Sequence, residues 1–229
     1  MNYTILSSKQ SELLERLIVH KGQIVTSQNI FAEAKNNWDY QQTKNLITKL
    51  VKNGWLIRVK NGLYVISDLS NRGFLSLSFY VVANLLVLNS YVSFESALQY
   101  YGMFDQLTNK IISVSLKKFK TISLNNIEYN FIQTKGKFFF GWREILIDDK
   151  TVRIATAEKA LIDIINFRKS KYAVDLIIEK IKEHKNNLDF TQLVKYLKEF
   201  SEATIKTFGF IFDLLNIDST SIYRLAENS

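Results

Sequence analysis

DYQQTKNLITKLVKNGWLIRVKNGLYVI, residues 39–66, joins the pattern of an amphipathic helix to that of a short hairpin. Asp39 and Gln42 have the spacing of a capping box, in which each side chain satisfies a free backbone N–H at a helix start. Apolar residues at positions 46, 47, 50 and 51 then fall on one stripe of a helix. Gly54 follows, and glycine commonly ends helices. The pattern predicts a helix that begins near Tyr40 and ends before Gly54.

The polar face of this predicted helix is basic and rich in amides. On a helical wheel, Tyr40 and Thr43 fall on the buried side together with the apolar stripe. Six residues point away from it: Gln41, Lys44, Asn45, Thr48, Lys49 and Lys52. Lysine pairs with phosphate or guanine, and asparagine and glutamine favour adenine, in the major groove of DNA. These six residues are therefore candidate contacts to double-stranded DNA.

A hairpin is predicted to follow the helix, with Asn61-Gly62 as its turn. This dipeptide lies between two β-rich runs and favours a type I′ turn, in which both residues have positive φ. A two-residue turn pairs Lys60 with Leu63, and it pairs Val59 with Tyr64. The predicted register thus follows from the turn type alone.

That register gives the hairpin one apolar face and one basic face. The predicted apolar face holds Trp55, Ile57, Val59, Tyr64 and Ile66. Arg58 and Lys60 fall on the other face, and Asn61 lies at the tip. A hairpin of this kind acts as a wing that contacts phosphates or the neighbouring minor groove. Residues 40–62 carry five cations and no acid, so the whole segment favours a polyanion.

The residues before this segment supply the remaining elements of a small domain. Ser7 and Gln10 form another capping-box pattern, and Gly22 can end the helix that they open. Residues 24–25 can form a short strand, and Thr26 or Ser27 can cap a second helix. Helix, short strand, helix, helix and hairpin follow in the order of a winged helix-turn-helix domain. We predict this fold for residues 1–68.

Composition and charge narrow the classes of function. The 229-residue chain has no cysteine, which excludes disulfides, thiol catalysis and Cys-based zinc sites. Its net charge of +8 is concentrated: residues 1–73 carry 10 cations and 5 acids, a balance of +5, and residues 110–143 carry 7 cations and 1 acid, a balance of +6. Basic regions of this kind favour polyanions, usually nucleic acid.

Residues 73–94 carry no charge, and a run of this length could span a bilayer. Asparagines interrupt the run, so a buried core helix is the better interpretation. The first eight residues lack the basic start and the apolar run of a signal peptide. We therefore expect a cytoplasmic protein without a membrane partner.

Residues 74–229 are predicted to form a second, α+β domain after a polar hinge at residues 67–73. A helix from about Phe74 and a short helix over 94–101, capped by Ser93, come first. A small, mostly antiparallel sheet is then predicted from six short pieces: 111–116, 121–124, 128–133, 137–142, 145–147 and 151–154. Thr156 can cap a further helix, and three more helices complete a bundle.

Six cations in this half form a second candidate surface: Lys117, Lys118, Lys120, Lys135, Lys137 and Arg143. One interpretation is a solvated face of the sheet. The functional alternative is a surface for an acidic partner or an additional DNA contact.

No catalytic or metal-binding residue is predicted. Ser93, Glu95 and Ser96 place a serine beside a carboxylate, but a helix cap with its first turn explains them better. Glu158 and Asp163 lie five residues apart, which puts them on different faces of a helix. A shared metal ion is therefore disfavoured.

Three stretches together resemble a known family. They are Gly54–Arg58 with Gly62–Tyr64, Tyr91–Leu98 with Tyr101–Met103 and Gln106, and Val152–Ala155 with Glu158–Asp163. In order and spacing they are similar to the AbiEi antitoxins, the antitoxin half of bacterial type IV toxin-antitoxin systems linked to abortive phage infection. The resemblance covers most of residues 8–165.

The resemblance implies a winged-helix repressor that binds the promoter of its own operon. It also implies a C-terminal domain that neutralises a nucleotidyltransferase-like toxin of the AbiEii type, with no enzymatic activity and no cofactor. A second hypothesis is a stand-alone winged-helix regulator whose C-terminal domain senses a ligand or dimerises. A third is a nucleic-acid-modifying enzyme, and the sequence leaves the oligomeric state open.

Overall fold

Two separate sheets organise the chain, one in each half. The computed structural model describes residues 5–67, 76–106 and 108–227. The chain divides into two units, Met1–Ser78 and Phe79–Ser229, called here the N-terminal and C-terminal units. Of the predicted hinge, residues 67–73, only Ser67 lies within the described residues. Both units combine helices with strands, which confirms the predicted α+β class.

The N-terminal unit has the element order of a winged helix-turn-helix domain. Its elements are α1 (Ser8–Lys21), β1 (Ile24–Thr26), α2 (Ser27–Ala34), α3 (Tyr40–Lys52), β2 (Leu56–Lys60) and β3 (Leu63–Ile66). The strands form an antiparallel sheet in the order β1-β3-β2. The short strand between α1 and α2 therefore joins the hairpin that follows α3.

The helix starts of this unit follow from local sequence. Each of the three helices begins with a reciprocal capping box, formed by Ser7 with Gln10, Thr26 with Asn29, and Asp39 with Gln42. A lost cap of this kind costs about 1 kcal/mol. Gly22, with φ +77°, ends α1, and Gly54, with φ +76°, follows the end of α3. The predicted starts and stops of α1 and α3 are thus confirmed.

The core of the N-terminal unit lies between the three helices and one face of the hairpin. Leu13, Leu17 and Ile30 are completely buried in it, and truncating such a side chain to alanine costs about 2–5 kcal/mol. The hairpin contributes Trp55, Leu56, Tyr64 and Ile66. This packing holds α3 with its polar face outward.

The predicted turn of the hairpin was wrong, and of the predicted register the Lys60–Leu63 pair is confirmed whereas the Val59–Tyr64 pair is not. Asn61 does not adopt positive φ, and only Gly62 does, at +73°. A β-bulge lies between Arg58 and Lys60, so Arg58 rather than Val59 pairs with Tyr64. Asn61 and Gly62 alone join the two strands, and the extra residue of the bulge is Val59 in β2.

The shifted register changes the faces of the hairpin. Leu56 pairs with Ile66, and Ile57 pairs with Val65, so Leu56 takes the core position that was predicted for Ile57. Ile57 and Val59 are buried as well, although Ile57 lies on the opposite face from Leu56. Arg58 lies across from Tyr64 rather than on the face away from it.

Within its described residues, the C-terminal unit contains a six-stranded mixed sheet, seven α-helices and two 3₁₀ turns. Its helices are α4 (Phe79–Leu86), α5 (Phe94–Tyr100), α6 (Ala157–Phe167), α7 (Lys171–His184), α8 (Phe190–Leu197), α9 (Glu202–Leu214) and α10 (Thr220–Glu227), and a 3₁₀ turn spans Gly136–Phe138. Its strands are β4 (Ser90–Val92), β5 (Lys110–Ser115), β6 (Ile122–Leu124), β7 (Ile127–Gln133), β8 (Trp142–Ile147) and β9 (Lys150–Ala155).

The sheet has the order β6-β7-β5-β4-β9-β8. Three of its five pairings are antiparallel, and β4 with β9 and β5 with β7 are parallel. Helix α6 follows β9 directly and packs against α5, α7, α8 and α9. Residues 157–165 of α6 are all buried. This helix is therefore the centre of the unit.

One predicted strand of the C-terminal unit was wrong, and two of its elements were not predicted. The predicted strand over 137–142 is a 3₁₀ turn and loop, and β8 is one continuous strand from Trp142. Strand β4 and helix α10 were missed because each is short and lacks a long periodic pattern. The predicted helix start at Phe74 lies outside the described residues, and α4 begins at Phe79.

Candidate nucleic-acid interface

The polar face of α3 is exposed as predicted from the helical wheel. Gln41, Lys44, Asn45, Thr48, Lys49 and Lys52 are all exposed, and the face they form runs the length of the helix. Thr43 lies on the buried side, where its hydroxyl donates to the carbonyl of Asp39 at 2.8 Å. The structure therefore brings the six candidate residues together on one surface.

Hydrogen bonds within α3 organise its polar face. The Gln41 amide donates to Oδ1 of Asn45 at 3.2 Å, one turn along the helix. The Thr48 hydroxyl donates to the carbonyl of Lys44 at 3.0 Å. This bond uses neither the Asn45 amide N–H₂ nor the Gln41 carbonyl. An adenine edge offers the matching acceptor and donor.

Tyr40 does not lie where the helical wheel placed it. Its side chain is 71% exposed, although its ring stacks on Phe31 of α2 at a centroid distance of 4.8 Å. The wheel treats every residue of a helix alike, whereas the first turn projects beyond the core. Tyr40 therefore belongs to the exposed surface at the start of α3, and the helical wheel did not predict this exposure.

The hairpin presents its cations beside α3 within the same unit. Arg58 is exposed, and its guanidinium carbon lies 5.7 Å from the centroid of the Tyr64 ring. Lys60 is half-buried, and Asn61 at the tip is exposed. The Gly62 carbonyl accepts a hydrogen bond of 2.9 Å from the Ser27 amide. This bond fixes the tip of the wing to the start of α2.

The second group of predicted cations is divided by the sheet. All six residues are exposed. Lys117, Lys118 and Lys120 precede the edge strand β6, whereas Arg143 lies on β8 at the opposite edge. Lys135 and Lys137 lie in the crossing segment between β7 and β8. The six residues do not form one continuous patch along a single sheet edge.

The C-terminal unit contains a buried cluster of charged and hydroxyl groups that spacing alone did not predict. Lys159 and Asp163 lie one turn apart on α6, are both completely buried, and form an ion pair. The Lys159 ammonium also donates to the Tyr91 hydroxyl at 2.9 Å. Asp163 accepts hydrogen bonds from the hydroxyls of Ser93 at 2.7 Å and Tyr91 at 3.2 Å.

Aromatic rings complete the surroundings of the Lys159 ammonium. Its Nζ atom lies 5.2–5.3 Å from the ring centroids of Tyr91, Phe140 and Phe200. Such contacts stabilise a desolvated cation. Gly141 leaves room for this side chain, since a Cβ there would approach Cγ of Lys159 to 2.8 Å.

Burial sets the electrostatics of this cluster. It raises the pKa of Asp163 and lowers the pKa of Lys159, while their mutual attraction and hydrogen bonding oppose both shifts. Burial also raises the pKa of Tyr91 well above its usual value. The cluster has no exposed charged atom, so it serves to join β4 to α6.

The other polar residues that were considered as catalytic or metal-binding candidates all form hydrogen bonds or ion pairs within the C-terminal unit. Ser93 occupies the cap position of α5, but its hydroxyl bonds Asp163 and makes no capping bond, so that part of the prediction was wrong. Glu95 pairs with Arg168 through both carboxylate oxygens. The Ser96 hydroxyl accepts from the Ile112 amide at 2.9 Å. Glu158 accepts from the Asp189 amide at 3.0 Å. Each group has a structural partner.

The signal for the buried cluster is present in the sequence, but it is weak. Lys159 and Asp163 have i,i+4 spacing, which is equally typical of exposed helix pairs. Tyr91 lies on β4, a strand that was not predicted, and Ser93 lies at the cap position of α5 directly after it. Two of the stretches that carry the family resemblance, 91–98 and 152–163, meet in this cluster.

The N-terminal unit has the element order of a winged helix-turn-helix module with an exposed basic face on α3, and the C-terminal unit is α+β. A solved structure shares the overall fold: the crystal structure of the RV2827C protein from Mycobacterium tuberculosis matches 97% of this chain and 82% of that chain, with a TM-score of 0.66 and 13% sequence identity. No family model matches the chain, and no curated protein matches it. The likeness at this identity is one of fold.

The uncharged run that raised the question of a membrane span contains the short helix α4. Among residues 5–67, 76–106 and 108–227, no helix is both long and apolar enough to cross a bilayer.

Proposed function

We propose that this protein is a DNA-binding transcriptional repressor that acts at the promoter of its own operon and serves as the antitoxin of a type IV toxin-antitoxin system. The observation that carries the DNA-binding part is the exposed, acid-free face of α3 beside a wing that bears Arg58 and Lys60. The antitoxin part rests on the family resemblance, which assigns to the C-terminal unit the neutralisation of a nucleotidyltransferase-like toxin.

The geometry suggests how each element would act on DNA. Helix α3 would enter the major groove, with Gln41 and Asn45 near base edges and the lysines near phosphates. The wing would lie over the backbone or the adjacent minor groove. If all five cations of residues 40–62 contacted phosphates, the slope of log K against log salt would be about −4.5, at about −0.9 for each contact.

The direct test is footprinting of the upstream DNA with the purified full chain. Protection of one short site in the promoter, with binding that weakens steeply as salt rises, is expected. Equal affinity for the promoter and for unrelated duplex DNA of the same length would contradict a specific operator.

The wing supplies the first mutational prediction. Replacing Arg58 and Lys60 together with alanine should weaken binding to all duplex sequences by a similar factor, because phosphate contacts carry no sequence information. Competition titrations with a set of single-base operator variants would measure this. A loss of affinity confined to one base position would instead show that the wing reads bases.

The two proposed activities should be separable by mutation. A Lys44→Ala, Lys49→Ala chain should lose repression of a promoter reporter but still rescue growth when the nucleotidyltransferase-like toxin is co-expressed. Reporter activity and colony counts in the same strain give both readouts. If this variant remained soluble but no longer rescued growth, the assignment of repression to the N-terminal unit and of toxin neutralisation to the C-terminal unit would be contradicted.

A stand-alone regulator is the second candidate, and one observation favours it. The C-terminal unit has a surface cavity of about 390 Å³ lined by lysines and aromatic residues, a volume in the range of small-molecule sites, about 300–1,000 Å³. A ligand-sensing unit would need such a cavity. An operon without a nucleotidyltransferase-like reading frame would support this candidate over the antitoxin.

A further inference from the structure

The cavity in the C-terminal unit combines cations with flat aromatic rings. It has a volume of about 390 Å³ and is lined by Lys137, Phe140, Lys195, Tyr196, Lys198 and Glu199. One wall comes from the 3₁₀ turn between β7 and β8, which holds Lys137, and from Phe140 shortly after it. The other wall comes from the last turn of α8 and the residues that follow it.

Ring-to-ring contacts with neighbouring aromatic residues hold the aromatic wall of the cavity in place. The ring of Phe140 meets Tyr196 edge to face at a centroid distance of 5.4 Å and Phe200 at 6.1 Å. Phe200 in turn stacks on Phe138 at 4.9 Å. The buried ammonium of Lys159 lies 5.2 Å from the Phe140 centroid. Phe140 and Tyr196 are therefore fixed by the same cluster that joins β4 to α6.

The cations of the cavity are not neutralised by neighbours. Lys137, Lys195 and Lys198 are exposed, and none of them forms an ion pair within the described part of the chain. Lys137 lies 4.8 Å from the centroid of the Phe138 ring. Glu199 is the acid among the lining residues, so three cations and one acid leave a lining charge of +2. This charge attracts an anion of small size.

We propose that this cavity binds a mononucleotide, with the phosphates held by Lys137, Lys195 and Lys198 and the base packed against Tyr196 and Phe140. Lysine ammonium groups are point-charge donors to phosphate oxygens, and bases stack on aromatic side chains. The two chemistries occur together here within one cavity. The inference does not rest on the proposed DNA binding, whose residues all lie in the N-terminal unit.

Calorimetric titration of the full chain with three probes separates the two contributions. ATP should bind saturably at one site per chain. Adenosine lacks the phosphates, tripolyphosphate lacks the ring, and each should bind at least tenfold more weakly than ATP. Tripolyphosphate that binds as tightly as ATP would overturn the proposal, because the aromatic wall would then contribute nothing. Absence of saturable ATP binding would overturn it as well.

Matched variants locate the site. Lys137→Ala, Lys195→Ala, Lys198→Ala should weaken ATP binding at least tenfold. Lys169→Ala, Lys171→Ala, Lys185→Ala removes the same charge from exposed positions at the two ends of α7 and should leave the affinity unchanged. Equal losses in both triple variants would mean diffuse attraction to a basic unit and would overturn the proposed site.

The aromatic contact has its own pair of variants. Tyr196→Ala should weaken ATP binding at least threefold without changing the affinity for tripolyphosphate. Tyr172→Ala, at an exposed position on α7, should change neither affinity. A Tyr196→Ala chain that retains its circular dichroism spectrum and wild-type ATP affinity would overturn the stacking role.

Discussion

Replacing Asp163 with alanine is expected to lower the free energy of unfolding of the C-terminal unit by about 3–5 kcal/mol, the range for removing one partner of a buried ion pair. The change leaves the Lys159 ammonium completely buried with the Tyr91 hydroxyl and three rings but no counter-charge. It also removes the acceptor of the Ser93 hydroxyl. Urea denaturation of the full chain, followed by circular dichroism, measures the loss.

Two controls separate the buried charge from the loss of packing. Lys159→Met with Asp163→Leu replaces both charges by apolar groups and should recover much of the stability, since such exchanges are often neutral. Glu202→Ala breaks an exposed i,i+4 pair with Lys206 and should cost less than about 1 kcal/mol. If Asp163→Ala lowered the free energy of unfolding by no more than Glu202→Ala does, the buried cluster would not stabilise the contact between β4 and α6.

The N-terminal unit was the more predictable half because its decisive signals are local. Capping boxes act over three residues, and a helical stripe over about ten, so both can be read without knowing any distant contact. Ser7, Asp39 and the exposed face of α3 illustrate this. Tyr40 was missed because its exposure depends on where the core ends, which is a tertiary property.

The turn types show a limit of dipeptide rules. Asn125-Asn126 and Asp148-Asp149 have positive φ at both residues and join β6 to β7 and β8 to β9 as two-residue hairpins. Asn61-Gly62, the dipeptide with the strongest type I′ preference, instead follows a bulge. The Gly62 carbonyl bonds the Ser27 amide, a contact between distant residues. At this turn, a hydrogen bond to a residue distant in sequence occurs together with a backbone conformation other than the type I′ turn that the dipeptide favours.

The α+β class of the C-terminal unit could be predicted from the sequence, but its strand order and its buried polar cluster could not. The sheet order and the parallel pairings join strands that are far apart in sequence, and no single periodic pattern specifies them. Strand β4 pairs with both β5 and β9 yet has only three residues. Tyr91 and Ser93 meet Lys159 and Asp163 across about 70 residues of chain. Spacing rules cannot detect such a contact, and so the cluster emerged only with the fold.

The C-terminal unit also stores local strain beside the cluster. Phe94 begins α5 with φ +55°, a conformation that costs a bulky residue about 1–3 kcal/mol. Its buried ring packs on Phe167 at a centroid distance of 5.8 Å and beneath the Arg168 guanidinium at 5.2 Å. Packing therefore overrides backbone preference here, and no sequence rule would place an aromatic residue in this conformation.

Replacing Lys44 and Lys49 with alanine is expected to weaken binding to the promoter by about 10–100-fold at moderate salt and to reduce the slope of log K against log salt by about 2, since each lost phosphate contact removes about 1. Both side chains are exposed on α3, so the fold should be retained. Fluorescence anisotropy titrations with the promoter duplex, repeated at several salt concentrations, measure both quantities.

The matched control is Lys9→Ala with Lys21→Ala, which removes the same charge from exposed positions on α1. Because winged-helix recognition depends on where the cations lie rather than on total charge, the control should bind nearly as the wild type does; equal weakening in the two variants would remove α3 as the recognition helix.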